Sequence, residues 1–234
     1  MVKIVSIDVG LRTLSIAKEE YTNYENIKIP KVKYGKNGEA TEEYKNVLDV
    51  MSKTGEVLFI EIVDLGDKTE YFAGRSFDKL YTWLESLSSD KVFEESDVIL
   101  IEQQMNTNSI AMALMHHIHA WIRIKLKSIK KTNNVVIYPS KNKTRVLGMA
   151  LKMEDKNKKL VRVIKYQRKK WSIEQMHNWI LKRNDQWTYN YIYKDHKTKK
   201  DDLCDVLLQS FSYLMMGSSM GSSPRITRTR NDKT

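Results

Sequence analysis

The chain holds a single cysteine, Cys204, among 234 residues. That excludes an intrachain disulfide and any cysteine-rich zinc site, and it fits a reducing compartment. Long apolar runs are also missing. The longest candidate, Ile110 to Ile124, is interrupted by His116, His117, His119 and Arg123, whereas a membrane span needs roughly 18 uninterrupted apolar residues. The N-terminal MVKIVSIDVG carries an aspartate inside a short apolar stretch and lacks the apolar core and cleavage site of a signal peptide. The expectation is an intracellular protein with no membrane partner. Acidic residues are in the minority: 29 against 40 basic ones, for a formal charge of +11. Such a surplus favours a polyanionic partner but does not by itself identify one.

What is present is a core-forming α/β pattern, with 41% hydrophobic residues and no internal repeat. Val2 to Val9 is apolar and β-branched apart from Lys3, Ser6 and Asp8, and Gly10 follows. It reads as a buried strand ending in a turn, with a hairpin partner from Thr13 to Ala17. Val57 to Leu65, Asp97 to Glu102 and Val135 to Tyr138 read as three more strands. Residues 22–56 read as a polar surface insertion with a short helix near Glu42–Met51. Helical spacing predicts helices over Arg75–Leu87, Asn106–Lys127, Ser172–Leu181 and Asp201–Met216. Lys141 to Lys170 is very basic and reads as loop with some helix. From Gly217 the chain is mostly Gly, Ser, Arg and Thr with little to bury, so 217–234 is expected to be a disordered basic tail following a domain over 1–216. Three meander strands followed by strands alternating with helices give an α/β sheet flanked by helices.

Three acidic features break this apolar pattern. Asp8 lies in a strand expected to be buried on both faces, where a carboxylate is costly unless it is paired or bound to metal. Glu102 ends the run Val98–Ile101. Asp202 and Asp205 open the last helix three residues apart, and so share a face. Taken singly, Asp8 also reads as a turn residue, Glu102 as an exposed strand end, and Asp201 or Asp202 as a helix cap. Together they form an ordered set able to hold hard divalent cations, which favour oxygen ligands. His116, His117 and His119 lack a partner carboxylate motif and read as packing residues, and the neighbouring Met112–Met115 stripe suggests a dimer interface.

The segments SIDVGLRTLSIA, VILIEQQ and KKDDLCDVLLQ resemble those of the RNase H-like resolvases, most nearly the poxvirus Holliday junction resolvases related to the RuvC type. The resemblance runs from about Val2 to Met216. It implies an RNase H-like fold, with a five-stranded mixed sheet in order 3-2-1-4-5 flanked by helices. It also implies a homodimer that cuts four-way and other branched DNA by symmetric paired nicks, in viral DNA recombination and replication in the host cytoplasm. Asp8, Glu102, Asp202 and Asp205 match the family's catalytic ligands for two Mg2+ ions, with Mn2+ as a substitute and no nucleotide cofactor.

By the same resemblance, lysines after strand five act near the scissile phosphate. Lys143 and Lys170 are the candidates for a direct catalytic role. Lys141, Lys143, Lys158, Lys159, Arg162, Lys165, Arg168, Lys169 and Lys170 are the candidates for phosphate contacts. Trp171, Trp179, Trp187, Tyr189, Tyr191 and Tyr193 are candidates for stacking on unpaired bases, with core packing as the alternative. The competing functions are another RNase H-like nuclease, of ribonuclease H or transposase type, and a non-catalytic DNA-binding module.

Overall fold

A computed structural model describes residues 1–10, 12–154 and 159–218. The β-branched N-terminal run forms β1 (Val2–Val9), which turns tightly into β2 (Thr13–Tyr21) and is followed by β3 (Gly55–Asp64). Each is antiparallel to its predecessor, so the meander expected from the sequence is present. β4 (Val98–Gln103) and β5 (Asn134–Pro139) extend the sheet parallel to β1. The order is β3-β2-β1-β4-β5, the mixed five-stranded order that the resemblance implies.

Side chains of a strand alternate between faces, and this alternation sorts the core. Val5, Ile7 and Val9 of β1 join Ile99 and Ile101 of β4 on one face. Against them pack α3 (Arg75–Ser89), which follows the short α2 (Lys68–Phe72), and α4 (Ser109–Ser128). Ile4 and Leu100 occupy the other face, covered by α1 (Glu42–Ser52), α6 (Lys165–Arg183) and α8 (Lys200–Ser218). Between these lie α5 (Asn142–Arg145), a two-stranded hairpin of β6 (Lys152–Glu154) and β7 (Leu160–Arg162), and α7 (Gln186–Asn190), which runs into a π-helical turn. No helix among the described residues is long and apolar enough to cross a membrane.

Four expectations change in the folded chain. First, residues 22–56 are more than a surface excursion. Ala40, Tyr44, Leu48 and Met51 are buried in the main core, and the Tyr34 and Tyr44 hydroxyls both donate to the Val146 carbonyl just after α5. Second, α6 begins at Lys165, inside the basic segment, because the face bearing Met176, Trp179 and Ile180 is long enough to carry the helix beyond its polar first turns. Third, the stripe of α4 assigned to a twofold mate is used within the chain: Ile110, Leu114, Met115, Ile118 and Ile122 pack on the sheet. Fourth, α8 continues through Gly217 and Ser218. The remainder of the expected tail, 219–234, lies outside the described residues, as does Lys158.

Candidate active site

The register of β1 and β4 brings the first two carboxylates together. Ile7 stands opposite Ile101 in the parallel pair, so Asp8 and Glu102, one residue further, emerge side by side at the strand ends. The alternation that buries Ile4 and Leu100 beneath α8 sends both acids to that same face. Helix α8 then supplies the third and fourth. Asp202, Asp205, Gln209 and Ser212, at positions i, i+3, i+7 and i+10, form a polar stripe facing the sheet. The Gln209 amide, fully buried, donates to the carbonyls of Ile7 at 3.4 Å and Leu100 at 3.3 Å, and Ser212 bonds the Tyr138 hydroxyl at 2.9 Å. Thr13 and Ser15 fix the helix start: the Thr13 hydroxyl donates to the Asp202 carboxylate at 3.3 Å and that of Ser15 to the Asp202 carbonyl at 3.0 Å. The N-terminal end of α8 also carries the positive pole of its dipole, which favours Asp201 and Asp202 there.

The centre of this group is a lysine. Lys143, on the short α5 that follows β5, is 3% exposed. Its Nζ lies 2.6 Å from Asp8 Oδ1, 3.0 Å from Glu102 Oε1 and 3.9 Å from Asp205 Oδ2. Burial works against the charged form of Lys143, but Asp8, Asp205 and Glu102 outweigh it and hold the ammonium well above the ordinary lysine range. Burial likewise pushes Asp8 up, yet the Lys143 charge and hydrogen bonds from Glu102 and Lys143 keep it below a normal aspartate. Glu102 is pushed by burial to about 8, with Lys143 opposing and Asp8 reinforcing the shift. Asp205 is raised by burial to about 6, and Asp202 moves upward through burial and the nearby charges of Asp201 and Asp8. One ammonium does not balance Asp8, Asp202 and Asp205, so the site stays short of positive charge even with Glu102 raised to about 8.

Of the two neighbouring lysines at the start of α6, Lys169 turns to the site and pairs with Asp201. Lys170 is 64% exposed, 3.7 Å from Glu174, and is not brought to the carboxylates. Lys141, Lys159, Arg162, Lys165 and Arg168 are exposed. Among the aromatic candidates, Trp179 is buried and Trp171, Tyr189, Tyr191 and Tyr193 pack against the same core, which leaves Trp187 exposed. The histidines have packing partners: His117 bonds the Tyr81 hydroxyl, and His119 accepts from Arg123 at 2.8 Å. Sequence reasoning missed Thr13, Ser15, Gln104 and Gln209. The Gln104 amide donates to Glu102 at 2.9 Å, and its position two residues beyond that acid was the available signal.

The donor set suits a hard divalent cation. It is all carboxylate oxygen, and three of the acids already converge on one positively charged atom. With the ammonium between them, no three acid, His or Cys groups among the described residues form a ready cage for a metal ion. Asp8, Glu102, Asp202 and Asp205 are the residues that could hold such an ion.

No family model matches the chain. The uncharacterized protein 97L of invertebrate iridescent virus 3 is 26% identical over 226 residues, covering 91% of this chain and 100% of that protein. The uncharacterized protein 170L of invertebrate iridescent virus 6 is 28% identical over 149 residues, covering 59% and 57%. Among solved structures, the fowlpox virus resolvase bound to Holliday junction DNA has a TM-score of 0.46 at 18% identity, covering 92% of this chain and 97% of that one. RuvC of T. thermophilus, bound to a Holliday junction substrate, has a TM-score of 0.49 at 10% identity, covering 94% and 96%. Both of these alignments run along more than 90% of this chain, as a likeness of fold.

Proposed function

We propose that this protein is a magnesium-dependent, structure-selective endodeoxyribonuclease that resolves four-way DNA junctions by paired nicks. The observation that carries the reading is the convergence of Asp8, Glu102 and Asp205 on a single buried cationic atom at the ends of β1 and β4, with Asp202 beside them. So dense a set of buried carboxylates has no structural use that offsets its self-repulsion, whereas phosphodiester hydrolysis needs such a set. Divalent ions held there would activate water and stabilise the leaving oxygen of an in-line displacement.

The chain's own residues have distinct tasks in this scheme. Asp8 and Glu102 are fixed by the sheet and define the floor of the site. Asp202 is oriented by Thr13 and Ser15, and Asp205 lies a helical turn further along the same face. Gln104 holds one Glu102 oxygen, leaving the other for the cation. Lys143 neutralises the acids when no phosphate is present. When it withdraws, its ammonium is within a side chain's length of the strand ends and can stabilise charge on the phosphate. Lys169 is restrained by Asp201 and supplies a second positive charge at the rim. The exposed Lys141, Lys165 and Arg168 carry DNA alongside by phosphate contacts. Two cuts at symmetric positions require two sites, so the working form is a homodimer whose twofold axis matches that of the junction.

The test is incubation with a synthetic four-way junction and Mg2+. Paired nicks at symmetric positions are expected, abolished by EDTA. Asp8→Asn and Glu102→Gln should lower the cleavage rate by about a thousandfold or more, as loss of several kcal/mol of charge stabilisation implies, with junction binding retained. Full cleavage by Asp8→Asn removes the assignment. Cleavage of RNA–DNA hybrids in preference to junctions would make the protein a ribonuclease H.

A further inference from the structure

Three aromatic rings gather at the β3 edge of the sheet, near the carboxylates. Helix α7 runs into a π-helical turn over Tyr191–Asp195, closed where the His196 N–H donates to the Tyr191 carbonyl at 3.0 Å. Such turns are rare and occur frequently at functional sites. This one brings the His196 ring centre to 4.3 Å from that of Tyr191, and Trp187, one turn earlier, stacks on Tyr191 at 6.0 Å. The sheet fixes where the row of rings begins. The Tyr191 hydroxyl meets the backbone of Ile62. Ile62 stands opposite Ser15, and Ser15 opposite Asp8. Tyr191 therefore reaches the register row of Asp8, two strand spacings or about 10 Å along it. Ile62 and Tyr191 pack on the core face that α8 covers, the face to which Asp8 and Glu102 point.

The turn that follows the rings is basic. Lys194, Lys197, Lys199 and Lys200 stand against one acid, Asp195, before Asp201 and Asp202 begin the site. None of these four lysines has an ion-pair partner among the described residues, and Lys199 is close enough to Asp202 to oppose its upward shift. Glu61, the other acid near Tyr191, is held by the Trp83 indole N–H at 3.0 Å. At the far end of the row Trp187 is 53% exposed. Beside it lies an open cavity of about 620 Å³, lined in part by Glu56, Leu58, Asn184 and Asp185. Its acids repel a phosphate but can accept from base amino groups, while the indole and Leu58 offer apolar surface. Rings and unpaired lysines side by side fit a single nucleic-acid strand, whose bases stack while its phosphates follow the positive charge. We propose that the unpaired strand flanking the scissile phosphate runs from the carboxylates past Lys199 and Lys197 and seats a base on Trp187. The inference rests on the junction-cleaving reading above and adds to it the path of the strand beyond the cut.

The test uses the full chain in EDTA with an oligothymidine, a linear duplex, and a four-way junction in which single abasic sites are walked outward from the branch point. Trp187→Ala should weaken oligothymidine binding about tenfold, the effect of roughly one lost stack, and leave duplex binding unchanged. Trp187→Phe should restore it. In wild type one abasic position should weaken junction binding. In Trp187→Ala that same position should be silent, because base and ring contribute only together. Lys197→Gln/Lys199→Gln should reduce the slope of log K against log salt for oligothymidine by about 0.7 per lost contact. Three results overturn the strand path while the junction-cleaving reading survives, provided wild type cuts junctions in Mg2+. They are wild-type oligothymidine binding by Trp187→Ala, no abasic position coupled to Trp187, and an unchanged salt slope in the lysine variant. Equal weakening of duplex and oligothymidine by Trp187→Ala also overturns it, since the ring then acts through the fold. A change of oligomeric state in that variant, read by sedimentation, makes Trp187 a contact between copies and overturns it too. A wild type that cuts no junction in Mg2+ and binds no oligothymidine overturns both readings.

Discussion

Removing Lys143 measures how strongly the acidic site depends on an internal cation. In Lys143→Met the side chain keeps its length and its buried packing, but Asp8 loses the partner 2.6 Å away and Glu102 the one 3.0 Å away. The buried acids cannot all remain charged, and the cheapest response is for Asp8 to take up a proton. Protonating an aspartate of ordinary pKa about 3.9 at pH 7 costs about 1.36 kcal/mol for each of roughly three units, or about 4 kcal/mol. The same figure falls within the range for breaking a buried ion pair, about 3–5 kcal/mol. At pH 5 the cost shrinks to about 1.5 kcal/mol. Urea unfolding in EDTA should therefore find the variant about 4 kcal/mol less stable than wild type at pH 7, with the gap narrowing on acidification. Mg2+ should stabilise the variant more than wild type, because in wild type the ion must displace the ammonium. A loss under about 1 kcal/mol at pH 7, or one unchanged at pH 5, would refute the reasoning, since a buried unpaired charge has no cheaper escape.

In metal-free wild type, Glu102 and Asp205 have folded pKa values of about 8 and about 6, above their unfolded values. The native state then binds more protons than the unfolded one, and stability should fall between pH 5 and 8 by on the order of a few kcal/mol; Asp8, lowered, acts oppositely and only in acid. Saturating Mg2+ should flatten that fall, and an unchanged slope in a urea series would mean that the acids bind no cation. Met115→Glu introduces a charge at a position 3% exposed within the chain's own core, so it should destabilise the fold by about 4 kcal/mol or more. A folded monomer from that variant would instead return Met115 to a subunit contact. Lys165→Gln/Arg168→Gln should reduce the salt slope of duplex binding by about 1.8 in all, and an unchanged slope in a filter-binding titration would turn this face away from DNA.

The residue pattern by itself determined the five strands of the main sheet and the two sheet-borne acids, while the order of those strands was implied only by the family resemblance. β-branched runs bounded by glycine and polar residues are local signals, and Asp8 and Glu102 stand out because each interrupts a run that burial otherwise explains. The spacing of Asp202 and Asp205 put them on one helical face before any packing was known. Tertiary structure alone decided the rest. Lys143 sits in a segment whose composition reads as a solvated basic loop, and its burial arises only when chain positions 8, 102, 143 and 205 meet. Lys169 and Lys170 are equivalent in composition. The phase of α6, set by Met176, Trp179 and Ile180 on the core, turns one to Asp201 and the other to solvent. The methionines of α4 are apolar whether they face a partner or a sheet, and periodicity cannot tell the two apart, because it reports that a face is buried without saying against what.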